Sequence, residues 1–197
     1  MEEHHPEGFR EFGMDPDLYN EELLEEQQLH QLCFCKFGMD PDVYKAQVIN
    51  KVIQDLRGLD PDATENTLNH VRTTIETVQT FSEDFFLVPK AVVLLHRFIN
   101  GLSVQQMTLN VWFKNMTVAE TAQNKAEQYG LPSLLFTVFV RYLLEMGEQD
   151  WWRHQDHAPW LFDKDLGQIE IAIVAKMWFR VVVTREQVRQ LLRTMCD

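Results

Sequence analysis

The segment at 134–146, LLFTVFVRYLLEM, constrains the fold of this chain more than any other stretch. Read as a helix, it is apolar on nearly every side and carries only Arg141 before Glu145. Such a helix has no stripe to give to water, so it belongs either at the centre of a core or in a subunit interface. It is also too short, and too interrupted, to cross a bilayer. A buried helix needs partners, and the flanking residues predict them. Gly130 ends a preceding helix that buries Val118, Ala122, Ala126 and Tyr129, and a turn through Leu131, Pro132 and Ser133 leads into the apolar helix. That preceding helix opens on a capping box, Thr117-Val118-Ala119-Glu120, in which hydroxyl and carboxylate satisfy each other's orphan amides.

Before the capping box the residues alternate. Leu109, Val111 and Phe113 fall on one side, with Thr108, Asn110, Trp112 and Lys114 on the other, as in a half-buried strand. A third helix through Val104, Met107 and Val111 remains an alternative. Strand, capped helix, glycine turn and buried helix together resemble the ribbon-helix-helix family of dimeric DNA-binding proteins, over residues 107–147. The resemblance implies a homodimer in which two strands pair into a ribbon that enters the major groove. On that reading Thr108, Asn110 and Trp112 face the groove and Lys114 lies near the phosphates, with Asn110 suited to adenine. Amides at the start of the apolar helix, near Ser133 and Leu134, would hold a phosphate.

The N-terminal part is organised by a duplication. FGMDPDLY at 12–19 returns as FGMDPDVY at 37–44. Each copy reads as a helix start, with Asp15 or Asp40 as cap, Pro16 or Pro41 as first residue, and Asp17 or Asp42 favoured by the helix dipole. After Asp40 an amphipathic helix places Val48, Ile49, Val52, Ile53 and Leu56 on one face. A third echo, GLDPDAT at 58–64, ends that helix at Gly58 and opens another with Leu68, Val71, Ile75 and Val78 as its buried stripe. Three unequally spaced starts do not make a solenoid. The prolines between the aspartates, and the lack of a glycine at the sixth position, argue against a calcium loop.

Charge is distributed as unevenly as the repeats. Residues 1–30 hold ten acids against Arg10 alone, nine of the twelve excess negative charges of the whole chain. The picture is an acidic arm on a nearly neutral body. Residues 1–14 read as disordered, 15–80 as a helical subdomain, and 81–197 as the core. The twin segments are candidate partner-binding elements through Phe12, Met14, Asp15, Asp17, Tyr19, Phe37, Met39, Asp40, Asp42 and Tyr44. An acidic inhibitor that mimics nucleic acid is a variant of the same reading.

Further along, Pro89 opens a helix through Ala91, Val92, Leu95 and Ile99 that is expected to stop at Asn100-Gly101, with His96 as a partnered structural histidine. Trp151, Trp152, Trp160 and Phe162 read as anchors for a loop. His154 and His157, with Asp156, Asp163 and Asp165 nearby, and His30 with Cys33 and Cys35, match no specific metal spacing, so no metal or cofactor is implied. Residues 169–183 suit either a buried helix or a β-rich pair. Thr184 caps a last helix through Val188, Leu191 and Leu192, whose Arg185, Arg189 and Arg193 form the best basic stripe for phosphate contact.

Three cysteines, Cys33, Cys35 and Cys196, make no disulfide framework, and the start MEEHHPEGF lacks the apolar core of a signal peptide, which points to the cytoplasm. Phosphate loops, dinucleotide-binding glycine fingerprints, serine elbows and H-E-x-x-H are missing. The expected protein is mainly α, a multi-helix bundle with one or two short β-strands. Its expected role is non-enzymatic and oligomeric: DNA-binding through the ribbon, or a protein interaction adaptor acting through residues 1–44.

Overall fold

The computed structural model describes residues 41–82, 84, 86–105, 112, 119–147, 150–177 and 181–196. Two compact units divide the chain, Met1–Ala46 and Gln47–Asp197. Of the first, residues 41–46 are described, as the opening turns of helix α1 (Pro41–Leu59). The helix begins at Pro41, where a fixed φ suits a first helical residue. All the other candidate partner-binding residues up to Asp40 lie outside the described residues, and of Asp42 and Tyr44 only the helical backbone is described.

The second unit is helical throughout its described residues. After α1 come α2 (Glu65–Phe81), α3 (Leu87–Val104), α4 (Ala119–Tyr129), α5 (Leu131–Gly147), α6 (Lys164–Lys176) and α7 (Arg185–Cys196). Two short 3₁₀ turns, Trp151–His154 and Pro159–Phe162, join α5 to α6. Among the described residues there is no strand. The mainly α class therefore holds, and Trp112, the one described position of 108–114, is helical.

Helix α5 is the axis of this unit. It touches α2, α3, α4, α6 and both 3₁₀ turns. Leu134, Leu135, Phe136, Val138, Phe139, Val140 and Leu144 are all buried. Burial of each such side chain contributes roughly 1.5–3 kcal/mol. Of the two homes open to an all-round apolar helix, this chain provides the first: its own helices cover α5, and no second subunit is needed to do so. Among the described residues no single helix is long and apolar enough to cross a membrane.

The elements around α5 follow from local signals, with some departures. In α1 the five expected apolar residues, Val48, Ile49, Val52, Ile53 and Leu56, are all buried, as are Leu68, Val71, Ile75 and Val78 of α2. The cap of α2 is Thr64, whose Oγ1 accepts from the Thr67 amide at 3.2 Å. The Asp60-Pro61-Asp62 echo is thus a turn, closed by the Ala63 amide donating to the Asp60 carbonyl. Helix α3 runs past the expected stop at Asn100-Gly101 to Val104, and Leu102 in that extra turn is buried. A glycine inside a helix costs about 1 kcal/mol relative to alanine, less than burying Leu102 returns.

Gly130 does end α4, with φ of 74° and its amide on the Ala126 carbonyl at 2.8 Å. The chain then enters α5 at once, without the expected turn over 131–133, and the two helices meet at 105°. The ambiguous stretch from 169 resolves as helix as far as Lys176. A strand would put Ile169, Ile171 and Ile173 on one face. Instead Ile169 and Ile173 are fully buried while Ile171 is 71% exposed, the pattern of a helix that also buries Leu166 and Glu170.

Candidate functional site

Two of the positions expected to contact DNA, one in the groove and one at a phosphate, lie in the core. Trp112 is 7% exposed and packs edge-on against Phe98, ring centroids 4.9 Å apart. An indole held there cannot face a groove. Ser133 is 2% exposed, and its carbonyl accepts from the Thr137 hydroxyl at 2.9 Å. Of the amides expected to hold a phosphate beside it, that of Leu134 already donates to the Gly130 carbonyl at 2.9 Å, and the preceding Pro132 has no amide hydrogen to offer. Thr108, Asn110 and Lys114 lie outside the described residues, as does the capping box at Thr117.

The basic stripe on α7 is shared with acids. Arg189 pairs with Glu186 at 3.3 Å, Arg185 is half-buried, and the Arg193 side chain lies outside the described residues. The start of α7 is a second capping box: the Gln187 amide donates to Thr184 Oγ1 at 3.4 Å, and the Thr184 amide donates to Gln187 Oε1 at 3.0 Å.

Three polar groupings remain as candidates. The first is the one charge that α5 carries into the core. Arg141 Nε donates to Glu170 Oε2 at 2.8 Å, Nη1 donates to the Leu161 carbonyl, Nη2 lies 3.7 Å from Glu145, and the guanidinium sits 4.9 Å over the Trp151 ring. Gly167 makes room for it, since a Cβ there would meet Arg141 Nη2 at 3.2 Å. Burial pushes the Glu170 carboxyl from 4.5 up to about 7. Arg141 pulls the other way, while Glu145, sharing the same guanidinium, adds to the rise. Burial likewise raises the neighbouring Tyr142.

The second grouping joins α2, α4 and the second 3₁₀ turn. His70 stacks on Tyr129 at 4.4 Å and meets the Trp160 ring edge-on, and Trp160 Nε1 donates to Thr74 Oγ1 at 3.0 Å. Burial lowers the His70 pKa. Alongside, Lys125 pairs with Asp163, which also caps α6 by accepting from the Asp165 amide at 2.8 Å. Burial opposes ionisation of Asp163, but the Lys125 contact and the helix amides outweigh it and lower the pKa. The space here is about 10 Å³, the limit for a single water. Both groupings are therefore joints between elements. The aromatic residues of this loop act as anchors in the same way, Trp151 stacked on Phe162 at 4.4 Å and His154 on Phe81 at 4.1 Å, while Trp152 is exposed.

His96 meets Asp55 of α1 at 3.6 Å, the structural partner expected of it. Burial works against the Asp55 carboxylate, yet the contacts with His96 and Lys51 hold its pKa below the usual value. Among the described residues no three His, Cys, Asp or Glu side chains are placed to hold a metal.

The third grouping has room for a ligand. A cleft of about 290 Å³ opens where the C-terminal ends of α3 and α6 come together, lined by Arg97, Phe98, Leu102, Gln105, Lys176 and Met177. Gly101 lies in its wall, and a Cβ added there would meet nothing within 4 Å. Arg97 ties α3 to the start of α7, donating to the Val182 carbonyl and to Gln187 Oε1, each at 2.8 Å. Lys176 Nζ donates to Gln105 Oε1 at 2.7 Å. Sequence reading passed over Glu170, His70, Lys125 and the cleft residues Arg97, Phe98, Leu102, Gln105, Lys176 and Met177, and it noted Arg141 only as an interruption. That lone cation in an apolar helix was the usable signal, since a buried guanidinium demands acceptors. Compared with protein-family models, with curated proteins and with solved structures, the chain matches none of them.

Proposed function

We propose that this protein is a non-catalytic interaction adaptor whose acidic N-terminal region, with its twin FGMDPD segments, engages a basic surface on a partner protein. The observation that carries this reading is the charge asymmetry: ten acids against one arginine in residues 1–30, overlapping a duplicated octapeptide. A self-complementary fold does not need nine surplus negative charges in thirty residues, and a cationic partner gains from them in encounter rate and specificity. Two copies of one short motif also allow two contacts, which raises avidity without new chemistry.

The body supports the reading by being complete. Helix α5, the most apolar helix among the described residues, is covered by α2, α3, α4 and α6. DNA binding through a ribbon has less support, because Trp112 and Ser133 lie in the core and the amide of Leu134 is already satisfied.

The test compares three proteins as baits: the full chain, the chain lacking residues 1–36, and a full chain carrying Asp15→Asn, Asp17→Asn, Asp40→Asn and Asp42→Asn. Partners of the full chain are identified by quantitative mass spectrometry, and the principal one is then purified and titrated. Its affinity is expected to fall at least ~10-fold with the deletion and to weaken steeply with salt. Equal affinity for the full and truncated chains refutes the proposal.

A further inference from the structure

We infer that the cleft between the ends of α3 and α6 binds a small organic anion with an apolar body, an aromatic or medium-chain carboxylate, and that Lys176 reads the carboxylate. The residues that line the site all lie within Gln47–Asp197. Its charge is the first argument. Lys51, Lys90 and Lys125 each meet a carboxylate, of Asp55, Asp84 and Asp163 respectively. Lys176 instead donates one bond to the neutral amide of Gln105, and no acid among the described residues lines the cleft. An ammonium has three donors, so this one can bind a ligand oxygen while keeping Gln105. Arg97 adds a second positive charge to the same wall.

Opposing this, the cleft faces two helix C-termini, whose carbonyl ends repel anions. Each is worth at most about half a charge and fades within a turn, and the Gln105 and Met177 amides already cap part of them. The full charge of Lys176, with Arg97 in the same wall, outweighs two partial, capped dipoles, and the local field favours a negative ligand.

Shape supplies the second argument. Phe98, Leu102 and Met177 form an apolar floor, and Phe98 is held in place by Trp112 and Phe139. A volume of about 290 Å³ sits at the lower edge of the roughly 300–1,000 Å³ typical of small-molecule sites, enough for a bicyclic ring. A cation at the rim of an apolar floor selects an amphiphile over inorganic phosphate, which would leave the floor unfilled.

The test is calorimetric titration of the full chain with 2-naphthoate, and with 2-naphthamide as its uncharged counterpart. The acid is expected to bind with a Kd on the order of 10⁻⁵–10⁻³ M, and the amide at least ~10-fold more weakly. Lys176→Gln should cost the acid ~10-fold and leave the amide unchanged. Gly101→Leu should abolish binding of both by filling the cleft, while leaving the melting temperature no lower, because leucine is the better helix former. No binding of 2-naphthoate at ~5 mM, equal binding of acid and amide, or undiminished affinity in either variant overturns the inference.

Discussion

Glu170 should make this protein less stable as pH rises from 5 to 8, although its carboxylate lies 2.8 Å from an arginine. Only 8% of Glu170 is exposed, and burial is the main reason its carboxyl sits at about 7 rather than 4.5. Glu145 holds the far side of the same guanidinium, so ionising Glu170 brings a second negative charge to a cation already partly neutralised. Below 4.5 the carboxyl is protonated in both folded and unfolded chains and does not affect the balance. Between 4.5 and 7 the unfolded chain has released the proton while the folded one still holds it, so stability falls with pH. Above 7 the loss is complete, and a rise from 4.5 to about 7 corresponds to about 3 kcal/mol.

Glu170→Gln isolates the effect. Its amide oxygen still accepts from Arg141 Nε, and Glu145 remains as the counter-charge. The assay is urea unfolding of both proteins at pH 5, 6, 7 and 8, followed by tryptophan fluorescence. The difference in unfolding free energy, native minus variant, is expected to fall by about 2.5 kcal/mol across that range. Titrations elsewhere, including the depressed His70, are common to both proteins and cancel. Natural protein that gains on the variant with rising pH, or a variant several kcal/mol weaker at pH 8, would mean that Arg141 and Glu170 form a tight ion pair with a depressed carboxyl, and would refute the reasoning.

Two further predictions concern elements that position α5 and the cleft. Gly130→Ala should destabilise by about 1–2 kcal/mol in thermal or urea unfolding, because φ is 74° and the new Cβ would meet Asp60 Oδ2 at 3.0 Å and Thr67 Cγ2 at 3.4 Å. Thr184→Ala should cost about 1 kcal/mol and raise amide hydrogen exchange in the first turn of α7, since it removes the acceptor for the Gln187 amide while leaving the rest of the helix in place.

The sequence was legible wherever the signal was local. A 3.6-residue spacing found the buried faces of α1 and α2 residue by residue, since one amphipathic helix carries its own evidence. Gly130 was found for the same reason: a left-handed residue after an apolar stripe is a local event. The misread of Gly101 is instructive, because the same Asn-Gly signal that stops many helices was overridden by the burial of Leu102 one residue later. At 108–114 seven residues are too few to separate a period of 2 from one of 3.6, and Trp112 went to the core because Phe98 was waiting there. Arg141 and Glu170 are 29 residues apart, and Gln105 and Lys176 are 71 apart. No window of local pattern reaches across such separations, so neither the buried charge nor the cleft could be read in advance.

The apolar run at 134–146 shows how one sequence feature can support two opposite conclusions about assembly. Periodicity says how many sides of a helix need cover and is silent on which chain supplies it. In this protein the cover is intramolecular: α3 and α2 pack along α5, α6 lies against the turn that carries Arg141, and α4 folds back at 105° from Gly130. The sharp corner at Gly130 is what lets a helix adjacent in sequence become a lateral neighbour, rather than continue away and leave an apolar flank for a second subunit. The apolar side chains of α5 are thereby committed to holding α3 and α6 in the places where their ends form the cleft.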